Sequence, residues 1–245
     1  MTRRWHSPSW FAWLLLAAGL ALFLNLARWQ LGRAAEKEQL LASFAAAAAS
    51  ATVDLADLPA DLAAETYPHV RVRGRYVAER SYLLDEQTRE GRVGRMAIAV
   101  FEPAGGSGRL LVNRGWFEAR PGMTPAPLPP LPDGETVLTG IYAPPPGGGL
   151  RVGGNALAQQ TTWPKLTLFL DLDAIRADLG GAAVHPRLLL LDPDAASGLV
   201  RAWTPAVMPP AKHRGYAFQW FSFALAAIVI FVVLHWRKEN KEQNP

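Results

Sequence analysis

The sequence predicts an α+β protein in which an antiparallel, β-rich domain lies between two transmembrane helices, one near each end of the chain. Three observations carry this. Two uncharged apolar stretches, 10–27 and 216–234, are each long enough to cross a hydrocarbon core of about 30 Å at about 1.5 Å per residue. Much of the sequence between them alternates in polarity with the period of a strand. Only 19% of the 245 residues are charged and 50% are hydrophobic, where about 25% charged is usual for a soluble chain.

The N-terminus, 1–9, carries Arg3 and Arg4 and is expected in the cytoplasm. The first span follows at 10–27, with Trp10, Trp13 and Trp29 near its ends, where the membrane interface favours such rings. Its one strongly polar residue is Asn25. A cleaved signal peptide would begin the same way. No A-x-A-like site follows, however, and the helical pattern runs on through QLGRAAEKEQLLASFAAAAA, so an uncleaved anchor is expected. The domain at 28–212 is expected outside the cytoplasm. It opens with a helix over 29–50, and Pro59 follows as a stop signal.

Strand patterns come next. HVRVRGRYV (69–77) alternates Val70 and Val72 with Arg71 and Arg73, and Gly74 marks a bulge or close approach. Further strands are expected at 82–85, 95–101, 109–117, 135–142 and 187–191. AGGSG (104–108) joins 95–101 to 109–117 as a hairpin. A short helix is expected at 171–179. PAPLPPLPDG (125–134) and PPPGGG (144–149) are loops, since proline cannot donate to a ladder. The second span is expected at 213–236, and 237–245, with Arg237, Lys238 and Lys241, returns to the cytoplasm. Arg28, Arg33 and Lys212 blur the charge count. The intervening loop exceeds the ~60 residues over which loop charge counts, so the basic ends decide the orientation.

Composition excludes several classes. Without cysteine there is no disulfide framework, thiolate metal site or c-type haem attachment. The net charge of +4 is scattered along the chain, as solubility or membrane topology requires, so nucleic acid is not an expected partner. Membrane lipid is. The phosphate-binding, nucleophile-elbow and zinc-helix motifs are absent. Ser107 sits in a turn with no helix after it, and Asp192 and Asp194 read as a Pro-Asp turn. No catalytic residue is assigned, and a non-enzyme is expected.

Of five histidines, His69 and His185 stand at strand entrances beside prolines and are expected to be exposed or capping. His6 and His235 flank the cytoplasmic membrane surface. His213 opens the second span in PAKHRGYAFQWF, and helical spacing groups it with Tyr216 and Trp220, with Gln219 adjoining. A neutral imidazole at a membrane boundary, with large rings around it and Lys212 and Arg214 alongside, can ligate haem iron. The same spacing serves a plain aromatic belt with a hydrated histidine, and spacing alone favours the belt. Arg114, in LLVNRGWFE, either faces a partner or belongs to a strand whose Trp116 packs inward. Gln30, Arg33 and Lys37 share a helix face, either solvated or a docking surface.

Four segments in order, RWQLGRAAEK, YPHVRVRGRY, LLVNRGWF and HRGYAFQWF, resemble the Surfeit locus protein one family, also called Surf or Shy. The resemblance covers about residues 28–231. It implies a non-enzymatic assembly factor for haem-copper cytochrome c oxidase in the respiratory chain. The implied setting is the bacterial inner membrane with a periplasmic main domain. Bacterial members look like haem a binders whose ligand is a second-span histidine; by motif this is His213, with Arg214, Tyr216, Gln219 and Trp220 around it. The implied partners are the oxidase catalytic subunit and the haem a synthase, with Arg114, Gln30 and Arg33 as candidate docking residues. PPPGGG and the Ala-rich 45–51 stretch match nothing in the family. A structural chaperone without cofactor, or an unrelated envelope adaptor, stays open as the alternative.

Overall fold

In the computed structural model, residues 3–59, 61–106, 108–120, 127–146, 156–205 and 207–238 are described. They divide into two units, one made of the residues through Leu40 and from Val207, the other running from Leu41 to Ala206. Ser107, the three glycines of PPPGGG, the first two residues of PAPLPPLPDG and Lys241 fall outside the described residues.

The first unit holds β1 (Arg3–Trp5), most of α1 (Trp10–Ala47), α3 (Pro210–His235) and β9 (Trp236–Lys238). α1 begins at a serine cap, where Ala12 N donates to Ser9 Oγ at 3.2 Å. It then runs unbroken through the expected span and most of the expected helix at 29–50, ending at Ala47, because neither Gly19 nor Gly32 is followed by a proline or turn signal. α3 starts with Pro210 in its first turn, where a missing N–H does no harm. Both helices are long and apolar enough to cross a membrane. Their outward residues, among them Leu14, Leu15, Leu22, Phe218, Leu225, Val229 and Val233, are exposed, as lipid-facing side chains must be. β1 and β9 pair antiparallel, with Trp5 opposite Trp236.

The second unit is built on β2 (Val53–Asp54), β3 (His69–Arg89), β4 (Arg92–Pro103), β5 (Arg109–Glu118), β6 (Glu135–Ala143), β7 (Lys165–Thr167), α2 (Leu172–Asp178) and β8 (Val184–Leu191). The strands expected at 69–77 and 82–85 are one bent strand, β3. An irregularity between Tyr76 and Ser81 bends it, with Glu79 at a φ of 57°. Its first third, His69–Arg75, pairs with β6, and from Gly74 onward it pairs with β4, so the ladder β3–β4–β5–β8–β6 returns to β3 and closes. Closure removes sheet edges, which would otherwise pair with other chains. Most pairings are antiparallel, as expected; β5–β8, β2–β3 and β3–β7 are parallel. Gly74 is a close approach, since a Cβ there would lie 2.1 Å from the Glu102 carbonyl oxygen.

Several strands are buried on both faces, which explains the unbroken apolar runs in β5 and β8. Val70, Phe101, Leu110, Val112, Leu189 and Leu191 form one core. Leu111 and Leu188, one residue along on the opposite face, join Tyr82, Ile98, Val100 and Ile175 of α2 in a second. α2 is capped by Asp171, whose carboxylate accepts from Asp173 N and Ala174 N. The last turns of α1 contribute Phe44 and Ala47 to a third cluster, with Ile141, Ala143 and Tyr67.

Candidate functional site

α1 and α3 meet along a seam of small residues. Ala27 and Ala34, one heptad apart on α1, are buried, and so are Ala217 and Ala224, one heptad apart on α3. The antiparallel register is fixed by Trp13 against Phe231 (4.8 Å between ring centroids), Phe23 near-stacked on Trp220 (6.0 Å), and Gln30 against His213.

His213 stands one turn before Ala217 and therefore faces the seam, where it is 8% exposed. Its Nδ1 lies 2.8 Å from Gln30 Oε1. Its Nε2 is buried and has no hydrogen-bond partner among the described residues. An amide oxygen carries no hydrogen, so in the neutral ring this contact places the proton on Nδ1 and leaves the lone pair on Nε2. That lone pair is the part of a neutral imidazole that binds a metal.

The other residues grouped with His213 by spacing divide. At about 100° per residue Trp220 lies about 20° from His213 around the helix, and Tyr216 about 60°. Trp220 accordingly stacks in the seam, while Tyr216 and Gln219 are exposed on its flank. Arg214 is ion-paired with Glu38 of α1, and Arg33 with Glu36 on its own helix. Lys212 is exposed. Gln30, grouped with Arg33 as a docking face, is held in the seam by His213. Among the described residues no three His, Asp or Glu side chains cluster as metal ligands. A metal reaching His213 must bring its other ligands with it, as haem iron does.

Arg114 belongs to the other unit. The register passes from Ala97 opposite Gly115 to Ile98 opposite Asn113, which leaves Arg114 as the extra residue of a β-bulge. Gly115 sits at a φ of 137°, which an L side chain rarely adopts, and its N–H donates to Asn113 Oδ1 at 3.1 Å. Arg114 is 8% exposed and donates through Nη2 to the Pro129 and Pro130 carbonyls at 2.7 and 3.1 Å, pinning the Pro-rich segment. Burial holds the guanidinium pKa below its usual value. It lines a cleft of about 470 Å³ with Tyr76 and Arg201.

Sequence reasoning placed His69 at the surface, yet it is buried. Thr52 Oγ1 lies 2.7 Å from its Nδ1 and Asp192 Oδ1 2.9 Å from its Nε2, and Thr139 donates to Asp192 at 2.6 Å. With both ring nitrogens satisfied, burial costs little. Hydroxyl, imidazole and carboxylate stand in the order of a nucleophilic triad. The clefts beside Asp192 and Trp163 include neither Thr52 nor His69, and the arrangement serves as a clasp between β2, β3 and the end of β8.

A SURF1-like protein of Drosophila melanogaster is 27% identical over 233 residues, which cover 87% of this chain and 74% of that protein. The SURF1 family model matches residues 17–225, from within α1 through the closed sheet and past the His213 turn. With the whole intervening domain and most of both helices inside that match, the chain belongs to the SURF1 family, a family of generally non-catalytic cytochrome oxidase assembly factors.

Proposed function

We propose that this chain is a membrane-anchored assembly factor for a haem-copper cytochrome c oxidase, holding haem a at His213 for delivery to the catalytic oxidase subunit. The observation that carries it is the buried His213 imidazole, whose Nδ1 is occupied by Gln30 and whose Nε2 is unpartnered among the described residues. Haem, when bound, would supply an iron that an imidazole nitrogen can ligate. His213 would provide that ligand, Trp220 and the exposed Tyr216 would cover apolar ring surface, and Lys212 and Arg214 would pair with propionates. Nε2 is shielded, so the seam must part for iron to reach it. The contacts to be parted there are the Gln30–His213 bond, the Arg214–Glu38 ion pair and the packing of Ala27 and Ala217. A single replaceable imidazole suits transfer better than storage. The outer domain would dock the oxidase subunit or the haem a synthase.

The test compares two histidines. His213→Ala should insert normally, because α3 stays apolar from Tyr216 onward. It should abolish the haem a spectrum of the purified chain and lower the haem a content of the oxidase in the same cells. His235→Ala, whose Nδ1 contacts its own helix at the Phe231 carbonyl, should do neither. Unchanged spectra in both variants would place the ligand elsewhere. A wild-type chain without a Soret band would leave a structural chaperone that binds no cofactor.

The basic ends support a cytoplasmic location for both termini and a periplasmic sheet domain in a bacterial inner membrane. A reporter fused after Pro245 should be active only in the cytoplasm, and one inserted near Gly148 only outside. The reverse pattern would overturn the orientation.

A further inference from the structure

A neutral imidazole carries one N–H, and its position decides which nitrogen can bind a metal. In His213 that choice is made by a residue 183 positions away, Gln30, at 2.8 Å from Nδ1. The amide has two orientations with opposite consequences. With Oε1 toward the ring, as observed, the proton sits on Nδ1 and the unpartnered atom is a bare acceptor at Nε2. With the amide NH₂ toward the ring, Nε2 would carry the hydrogen and become a buried donor without an acceptor, the more costly arrangement. Gln30 is itself fixed by the seam, since Ala27 and Ala34 lie on the same α1 face and are 0% and 3% exposed.

We propose that Gln30 is a positioning residue that selects the Nδ1–H tautomer of His213 and thereby presents Nε2 as the iron-binding atom. This rests on the reading of His213 as the haem ligand. Metal-binding histidines generally donate their second N–H to an acceptor that fixes the ring and raises its basicity, and loss of that acceptor typically weakens metal affinity about 10–100-fold. An uncharged acceptor is the fitting choice at this site. A carboxylate would bury a charge between the helices and favour the imidazolium, which has no lone pair to offer. Gln30 would thus set affinity without touching the iron.

The experiment uses the full chain in nanodiscs, ¹⁵N-labelled at histidine, with ferric haem a as the probe. In the haem-free protein, the long-range ¹H–¹⁵N pattern that disappears in His213→Ala should be that of an Nδ1–H imidazole. Gln30→Met keeps the side-chain length and removes the acceptor. It should shift His213 toward the Nε2–H form and weaken haem a binding about 10–100-fold, with the helix content unchanged. If Gln30→Met keeps the Nδ1–H pattern and wild-type affinity while His213→Ala binds no haem a, the positioning role is overturned and the ligand reading stands. If His213→Ala binds haem a like the wild type, the ligand reading falls, and the iron-presenting role of Gln30 falls with it.

Discussion

Asp178→Ala should lower the stability of the sheet domain by about 3–5 kcal/mol, because it leaves a buried ammonium without its counter-charge. Lys165 is 7% exposed, and its Nζ donates to Asp178 Oδ1 and, at 3.1 Å, to the Leu157 carbonyl. The other Asp178 oxygen accepts from Tyr82 OH at 2.9 Å. Tyr82 is fully buried, and burial, followed by that bond to Asp178, pushes its phenol pKa far above the ordinary value. Asp178 closes α2, an end where the helix dipole disfavours an acid, so Lys165 and Tyr82 are what hold it there. The pair joins α2 to β7 and β3 beneath Trp163, whose ring stacks near Lys165 Nζ (4.8 Å) and the Arg80 guanidinium (4.7 Å). Thermal unfolding of the full chain in detergent measures the effect, at about 2–4 °C per kcal/mol for a domain of this size. Lys165→Met combined with Asp178→Leu should recover most of the loss, since an apolar pair can replace a buried ion pair. An unchanged midpoint in Asp178→Ala alone would show that Lys165 finds another partner or escapes to solvent.

Trp116→Ala should cost a similar amount, about 3–5 kcal/mol for a large ring removed from a closed site. The indole is 4% exposed, and its Nε1 donates to the Gln87 carbonyl at 2.8 Å. β4 makes room for it at Gly94, where a Cβ would lie 2.5 Å from the ring. The Trp116 backbone exchanges hydrogen bonds with Val200, at 2.9 and 2.8 Å, and Gly115 allows Leu199 to come this close. Removal therefore empties a space walled on one side by the Gly94 backbone, with the Arg92 guanidinium carbon 5.6 Å from the ring centroid. The same unfolding measurement decides; a melt indistinguishable from wild type would show that the ring contributes only surface contact.

The spans were legible because hydrophobicity and length are local properties, and the alternation in HVRVRGRYV marked a strand for the same reason. The short helix at 171–179, the hairpin between β4 and β5 and the inward Trp116 are likewise nearest-neighbour chemistry. Pairings between distant residues left no such mark. Nothing in YPHVRVRGRY says that Val70 will lie beside Gly140, the contact that closes the sheet. The patterns at 109–117 and 187–191 marked strands without saying that the two run parallel. Around His213, helical spacing offered Tyr216 and Trp220 together, since i+3 and i+7 look alike in one helix. Only the packing of α1 against α3 separated them, drawing Trp220 into the seam and leaving Tyr216 outside. The sequence by itself determined the anchors, the β-rich domain and the family motifs, each set within a few residues by side-chain chemistry. The tertiary structure decided sheet closure, the Lys165–Asp178 pair and the Gln30–His213 bond, because each joins groups brought together only once distant segments have packed.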